Sequence, residues 1–169
     1  MSTPATLSAG CFDQNVWIRV EGRGNLSVCG TLRKFVQAMI GKGRSSFVVD
    51  LRGCDHMDST FMGTLTGLSQ NLRELGQGSL TVLNASPRNV ELLENLGLNF
   101  LFQVEALGDS PRLPLDSEHR LLELPLDPSV DKEILLTAHE ALASSNPANA
   151  ERFKDVVEYL RQQARPAGG

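Results

Sequence analysis

Side chains capable of chemistry crowd into one stretch of this chain, Asp55-His56-Met57-Asp58-Ser59-Thr60-Phe61-Met62-Gly63. Asp58, Ser59 and Thr60 fall where a helix begins. Their oxygens suit the first backbone N–H groups of a helix, which have no partner within it. One reading of the cluster is therefore a cap and nothing more. The other is a regulated hydroxyl. A helix N-terminus offers N–H donors and a partial positive charge, so it accommodates an added phosphate. Phosphorylation would add about −1.5 to −2 charges at pH 7. With Asp55 and Asp58 close by, that would make the local charge dense. The fold would survive the addition and a docked partner would not, which is the asymmetry a binding switch needs.

Enzymatic readings find less support. His56, Asp58 and Ser59 include the residue types of a hydrolase triad, but a triad is a geometry assembled from separate loops. Met57 and Phe61 stand where a G-x-S-x-G elbow around Ser59 would need glycine. Cys54 and His56 could touch a metal, yet no second Cys or His pair lies near them in sequence, as a structural zinc site requires. Cys54 reads as a small residue near a strand end. His119 and His139 read as surface or packing residues. No glycine cluster fits a P-loop or a dinucleotide fingerprint, and no cofactor is expected.

The 169 residues suit one domain with an appendage. With 41% hydrophobic and 21% charged residues, the composition is that of a folded protein. A net charge of −4 and the absence of a basic stripe argue against nucleic acid. No apolar run approaches the roughly 20 residues of a membrane span. The first eleven residues have neither a basic nor an apolar signal region, so secretion is not expected. Three cysteines do not make a disulfide framework. A reducing, cytoplasmic setting follows as the expectation.

The elements that must position the cluster follow from periodicity. Val16–Val20 reads as a strand, ended by turn chemistry at Gly22, Gly24 and Asn25. Leu32, Phe35, Val36, Met39 and Ile40 predict a helix over 30–40. Phe47-Val48-Val49-Asp50-Leu51 does not alternate and fits a strand covered on both faces. Phe61, Leu65, Leu68, Leu72 and Leu75, spaced four, three, four and three, give the clearest helix. Leu80–Leu83 is another strand. Ser86-Pro87 opens a helix ended by Gly97, and 100–104 reads as a further short strand. This β-α-β-α-β-α-β order predicts a largely parallel or mixed sheet, with a site at the carboxyl ends of its strands. Leu121, Leu122 and Leu124 leave an extended segment open. Two amphipathic helices follow, over about 129–144 and after Asn146-Pro147, as a helical hairpin packed on something.

The strand Phe47–Leu51, a short turn, and then Met57-Asp58-Ser59-Thr60-x-x-Gly63 resemble the signature of STAS domains, and more closely that of bacterial anti-sigma factor antagonists. The likeness runs over about 16–107, and Ser86-Pro87 fits it too. It implies a STAS-like α/β domain over 1–107; the rest is not explained by the likeness and reads, from its own composition and periodicity, as a linker or extended segment over 108–128, a C-terminal helical extension over 129–164 and a tail over 165–169. By position it makes Ser59 the phosphoacceptor, flanked by Asp58, Thr60, Asn25 and His56, with Phe61, Met62 and Gly63 on the partner-binding surface. It implies a GHKL-type serine kinase that is also the anti-sigma factor, bound while Ser59 is unphosphorylated, and a PP2C-type phosphatase that resets the cycle. The chain itself would be a ligand and substrate, not a catalyst.

Two positions depart from the family pattern. Phe61 and Met62 stand where glycine and leucine are usual, and an aromatic there either reshapes the docking surface or extends the buried stripe of the helix. In the loop after the first strand, Gly22-Arg23-Gly24-Asn25 carries an amide at Asn25 where an acid is usual. A second reading stays open: a non-phosphorylated STAS scaffold for assembly or self-association, a homodimer among its forms. The C-terminal helices would pack back on the sheet or serve as a private interaction surface; two short helices rarely hold together alone, which favours packing.

Overall fold

The computed structural model describes residues 4–76, 78–109, 120–127 and 131–164. In chain order the elements are β1 (Thr6–Phe12), β2 (Asn15–Gly24), α1 (Leu26–Gly41), β3 (Ser46–Asp50), β4 (Cys54–Met57) and α2 (Ser59–Glu74). There follow β5 (Ser79–Ala85), α3 (Pro87–Asn95), a 3-10 turn (Leu98–Phe100), β6 (Gln103–Ala106) and β7 (Leu122–Glu123). Three helices close the chain: α4 (Lys132–Ser145), α5 (Pro147–Arg152) and α6 (Lys154–Ala164). His119, most of the expected linker and the 165–169 tail lie outside the described residues.

The sheet is mixed, in the order β6-β5-β3-β2-β1-β7, with β4 paired to the end of β2. The β2, β3, β5 and β6 ladder is parallel, while β1 and β7 run antiparallel at one edge. Alternation along the strands divides the pleat. Val16, Ile18 and Val20 of β2, Phe47 and Val49 of β3, and Leu80 and Val82 of β5 enter one core with the buried stripes of α1 and α2. Trp17 and Leu83 turn to the opposite face and meet Phe12, Val48 and Leu121.

Several expectations need correction. β1 was not foreseen, because Thr6–Phe12 places only Leu7 and Ala9 in the core. Its hairpin to β2 pairs Phe12 with Asn15. Asp13 makes that turn at φ 55, a conformation Asp tolerates better than most side chains. β2 runs on through Gly22, whose φ of 81 marks a bulge where the register to β4 shifts. Asn25 does not end a strand in a loose turn but caps α1, which starts at Leu26 rather than Gly30. The strand expected over 100–104 is a 3-10 turn followed by β6 from Gln103, and Phe100 is 86% exposed. The expected hairpin is three helices. Asn146 ends α4 and caps α5, Pro147 takes the first helical position, and Phe153 separates α5 from α6.

The C-terminal helices belong to the body of the fold. Ile134 and Leu142 of α4 join the main core, with Phe153 against it. Asn146 and Asn149 donate from Nδ2 to the Leu96 carbonyl at 3.0 and 2.8 Å, and Arg152 donates to the Asn95 carbonyl at 3.2 Å. These are carbonyls that a helix end leaves without intrahelical partners, so α5 completes the C-terminus of α3.

At the carboxyl end of β3, Asp50 is 1% exposed and fully engaged. Its Oδ2 accepts from Arg19 Nε at 3.2 Å, and its Oδ1 accepts from Asn84 Nδ2 at 2.9 Å and from the Arg52 N–H at 3.0 Å. Replacing Asp50 by Ala removes a buried acceptor from each of these donors. The expected cost is about 3–5 kcal/mol, read as a lower urea midpoint at unchanged slope; a loss under about 1 kcal/mol would show the network to be incidental.

Cys29 of α1 is wholly buried. Burial, reinforced by the charge of Asp58 and only partly offset by a hydrogen bond with Thr64, pushes its thiol up from 9.0 to about 12. In the unfolded chain this thiol ionises near its ordinary value, so above about pH 9 unfolding releases a proton that the folded state keeps. Stability is therefore lost as pH rises from 9 toward 12. Cys29→Ala should flatten that decline by up to about 1.4 kcal/mol per pH unit. Urea titrations at stepped alkaline pH would show parallel curves for the two proteins if the thiol is not the cause.

Candidate functional site

The junction between β4 and α2 is built by one acid. Asp58 is the N-cap of α2, and its Oδ1 accepts from the Phe61 N–H at 2.9 Å. The Asp58 carbonyl accepts from the Met62 N–H, and the Asp58 N–H donates to the Gly24 carbonyl, both at 3.0 Å. The start of α2 is thereby tied to the end of β2. The residue after Gly24 is Asn25, whose Oδ1 accepts from the Ser27 N–H at 3.0 Å and the Ser27 hydroxyl at 2.6 Å. Two helix starts, α1 and α2, thus lie side by side at the carboxyl ends of the strands, where the sequence placed the site.

Of the three candidate caps, Asp58 alone does the capping. That leaves Ser59 free for something else, and its Oγ lies 2.9 Å from Nε2 of His139 on α4. The other ring nitrogen, Nδ1, is 2.7 Å from the Leu135 carbonyl, which can only accept. Nδ1 therefore carries a proton, and in the neutral ring Nε2 is the acceptor. In that form the Ser59 hydroxyl donates to it. His139 is 7% exposed, and the ring of Phe153 meets it edge-on at 5.9 Å. Of the surface or packing role expected for His139, the structure bears out packing: the residue is buried against Phe153, and it is also bonded to the central hydroxyl of the motif. No signal in sequence could pair two residues 80 positions apart.

The flanking residues divide. Thr60 is buried, and its carbonyl accepts from the Thr64 hydroxyl at 2.8 Å. His56 is half-buried on β4, with Nδ1 accepting from Arg88 Nε at 3.3 Å, so it turns toward α3. Cys54 is buried, and burial raises its thiol above the usual range, which fits a packing role.

Phe61, Met62 and Gly63 do not form a surface. Phe61 is 0% exposed, and its ring lies on Gly24, where an added Cβ would fall 2.9 Å from Cδ1. Met62 is buried. Gly63 lies directly beneath α4, where a Cβ would fall on the Ala138 carbonyl. The aromatic that departs from the family pattern extends the buried stripe of α2. Over Gly63 the cover is α4 itself, whose contact with α2 is the most extensive between any two elements among the described residues. Beside the seam a cleft of about 200 Å³ remains between α1, α2 and α4, with Arg33, Gly67, Ile134 and Thr137 in its walls.

Among the described residues no cluster of His, Cys, Asp or Glu could hold a metal. No described helix is long and apolar enough to cross a membrane.

Comparison with known proteins supports this architecture. The structure of an anti-sigma factor antagonist from Mycobacterium paratuberculosis is 18% identical, with a TM-score of 0.55, over 71% of this chain and 98% of its own. The Bacillus anti-sigma factor antagonist SpoIIAA resembles the chain in both its solved states, at 18% identity. Its unphosphorylated form has a TM-score of 0.53, over 68% of this chain and 94% of its own. Its phosphorylated form has a TM-score of 0.51, over 68% and 97%. These likenesses establish a shared fold. No curated protein matches the chain. The family described as "Mlab, STAS domain" matches residues 12–104, which run from β2 into the start of β6 and contain the Asp58-Ser59-Thr60 junction. The chain belongs to the STAS domain family.

Proposed function

We propose that this protein is an anti-sigma factor antagonist, a binding switch controlled by phosphorylation of Ser59. Unphosphorylated, it holds a GHKL-type serine kinase that doubles as the anti-sigma factor, and so frees a sigma factor. The kinase phosphorylates Ser59, and a PP2C-type phosphatase resets it. The chain acts as ligand and substrate, needs no cofactor, and works in the cytoplasm. The observation that carries this reading is the division of labour at the start of α2. Asp58 supplies the cap, Thr60 is buried, and Ser59 alone keeps a hydroxyl that the helix does not require. A phosphate there would sit at the positive end of a 16-residue helix. Structures resembling this chain include SpoIIAA in both phosphorylated and unphosphorylated states.

One observation favours the alternative, a STAS scaffold without phosphorylation: the Ser59 hydroxyl already has a partner in His139. In that case Ser59 is a structural hydrogen-bonding residue, and assembly or self-association uses another surface.

Affinity capture separates the two. With wild type, Ser59→Ala and Ser59→Glu as baits in an extract of the source cells, the switch predicts a GHKL-type kinase on the first two and at least a tenfold loss on the third. The loss follows from charge placed in a docking surface, worth about 2–5 kcal/mol. Equal capture by all three baits, or no kinase on any, would favour the scaffold. Incubation of the wild type with that extract and ATP should put one phosphate on the peptide carrying Ser59 and none on Ser59→Ala.

A further inference from the structure

The face of α2 that begins at Ser59 is already occupied. Gly63 and Gly67, one helical turn apart, form a groove without side chains, and α4 lies in it. The backbone of Ala138 reaches Gly63, and the Cβ of Ala141 stands 3.6 Å from where a Cβ on Gly67 would be. At one end of the seam His139 takes the Ser59 hydroxyl at 2.9 Å. At the other, Gln70 Nε2 donates to Ser144 Oγ at 3.2 Å and to the Ala141 carbonyl at 3.4 Å. Apart from the Ile134 and Leu142 anchors, the seam is made of small residues and polar contacts. What holds α4 in the groove is therefore close backbone approach and polar contacts around two apolar anchors. A salt bridge from Arg33 to Glu133 at 3.4 Å adds little, since Glu133 is largely exposed. α4 also lies beyond residues 12–104, which carry the family match.

We propose that α4 is a reversible latch: docked, it seals the Ser59 hydroxyl and fills the Gly63–Gly67 groove; undocked, it exposes both. The importance of this for signalling rests on the switch proposed above, because a partner docking around Ser59 then competes with α4. Adding a phosphate to Ser59 likewise requires His139 to withdraw, since no phosphate fits between atoms in hydrogen-bond contact. The groove also indicates what can replace α4, namely a helix with small side chains at positions three apart, as Ala138 and Ala141 are.

The test needs no kinase. A Ser59→Cys probe is placed in the full chain with the exposed Cys11 changed to Ser, which leaves Cys29 and Cys54 buried. A bulky polyethylene-glycol maleimide reports access to position 59. Two further substitutions pry the seam from opposite sides. Gly63→Ala puts a methyl against the Ala138 carbonyl, and Ala138→Glu puts bulk on α4 without touching the sheet. Hydrogen exchange of residues 132–145 and of the strands is followed in parallel. The latch predicts labelling at least tenfold faster in both wedge variants. Exchange in 132–145 should rise while β3 and β5 stay protected. Unchanged labelling overturns the proposal, whether α4 has come loose or stays protected. In the first case the helix does not guard Ser59, and in the second it is a fixed part of the fold. If Gly63→Ala loses strand protection, Ala138→Glu decides. Faster labelling with no phosphate at Ser59 in the extract would leave the latch standing and remove the switch; phosphorylation with unchanged labelling would do the reverse.

Discussion

At Gly63 two helices come together so closely that a single methyl group has no room, and much of the site follows from that contact. The carbonyl of Ala138 takes the volume a side chain would need. Helix pairs commonly keep their axes about 8–10 Å apart, with side chains between them; here backbone meets backbone. Once α4 is set at that depth, the residue after Ala138 is delivered to the start of α2. His139 then reaches Ser59, with its ring fixed from behind by the Leu135 carbonyl and from the side by Phe153. Move α4 outward by one side-chain layer and this hydrogen bond is lost.

The other anchor is the way β4 enters α2. Asp58 satisfies the helix start through its side chain and the strand end through its N–H. With those donors satisfied, the neighbouring hydroxyl is not needed for the cap. A motif of three oxygen-bearing residues thus resolves into a cap, a hydroxyl bonded to His139 and a buried Thr60. The buried Phe61 ring adds a lock beneath them, because it fits only against a residue without a side chain, and Gly24 supplies that. Chemistry and packing are therefore separated by single positions along α2: Ser59 faces α4, and Phe61 faces the sheet.

The C-terminal helices also do two things at once. Through Asn146, Asn149 and Arg152 they complete the end of α3, and through Ala138 and Ala141 they cover α2. The α5 attachment uses several direct hydrogen bonds to carbonyls that would otherwise need water. The α2 attachment is mostly small-residue contact.

Much of this fold could be read from local pattern. The spacing of Phe61, Leu65, Leu68 and Leu72 determined a helix with one buried face, although Leu75, expected on the same stripe, falls just past the helix end and is exposed; the run Phe47–Val49 determined a central strand. Ser86-Pro87 and Asn146-Pro147 marked two helix starts that the structure bears out. These succeed because periodicity and capping are properties of neighbouring residues. β1 and β4 carry little local signal: Thr6–Phe12 alternates weakly, and Cys54–Met57 is four residues long. The motif and its hydroxyl were likewise visible along the chain. What only the tertiary structure decided is which of Asp58, Ser59 and Thr60 caps the helix, that Phe61 turns inward, and that His139 meets Ser59. Each depends on where α4 and β2 lie in space, and no spacing within α2 encodes the position of a helix 80 residues away.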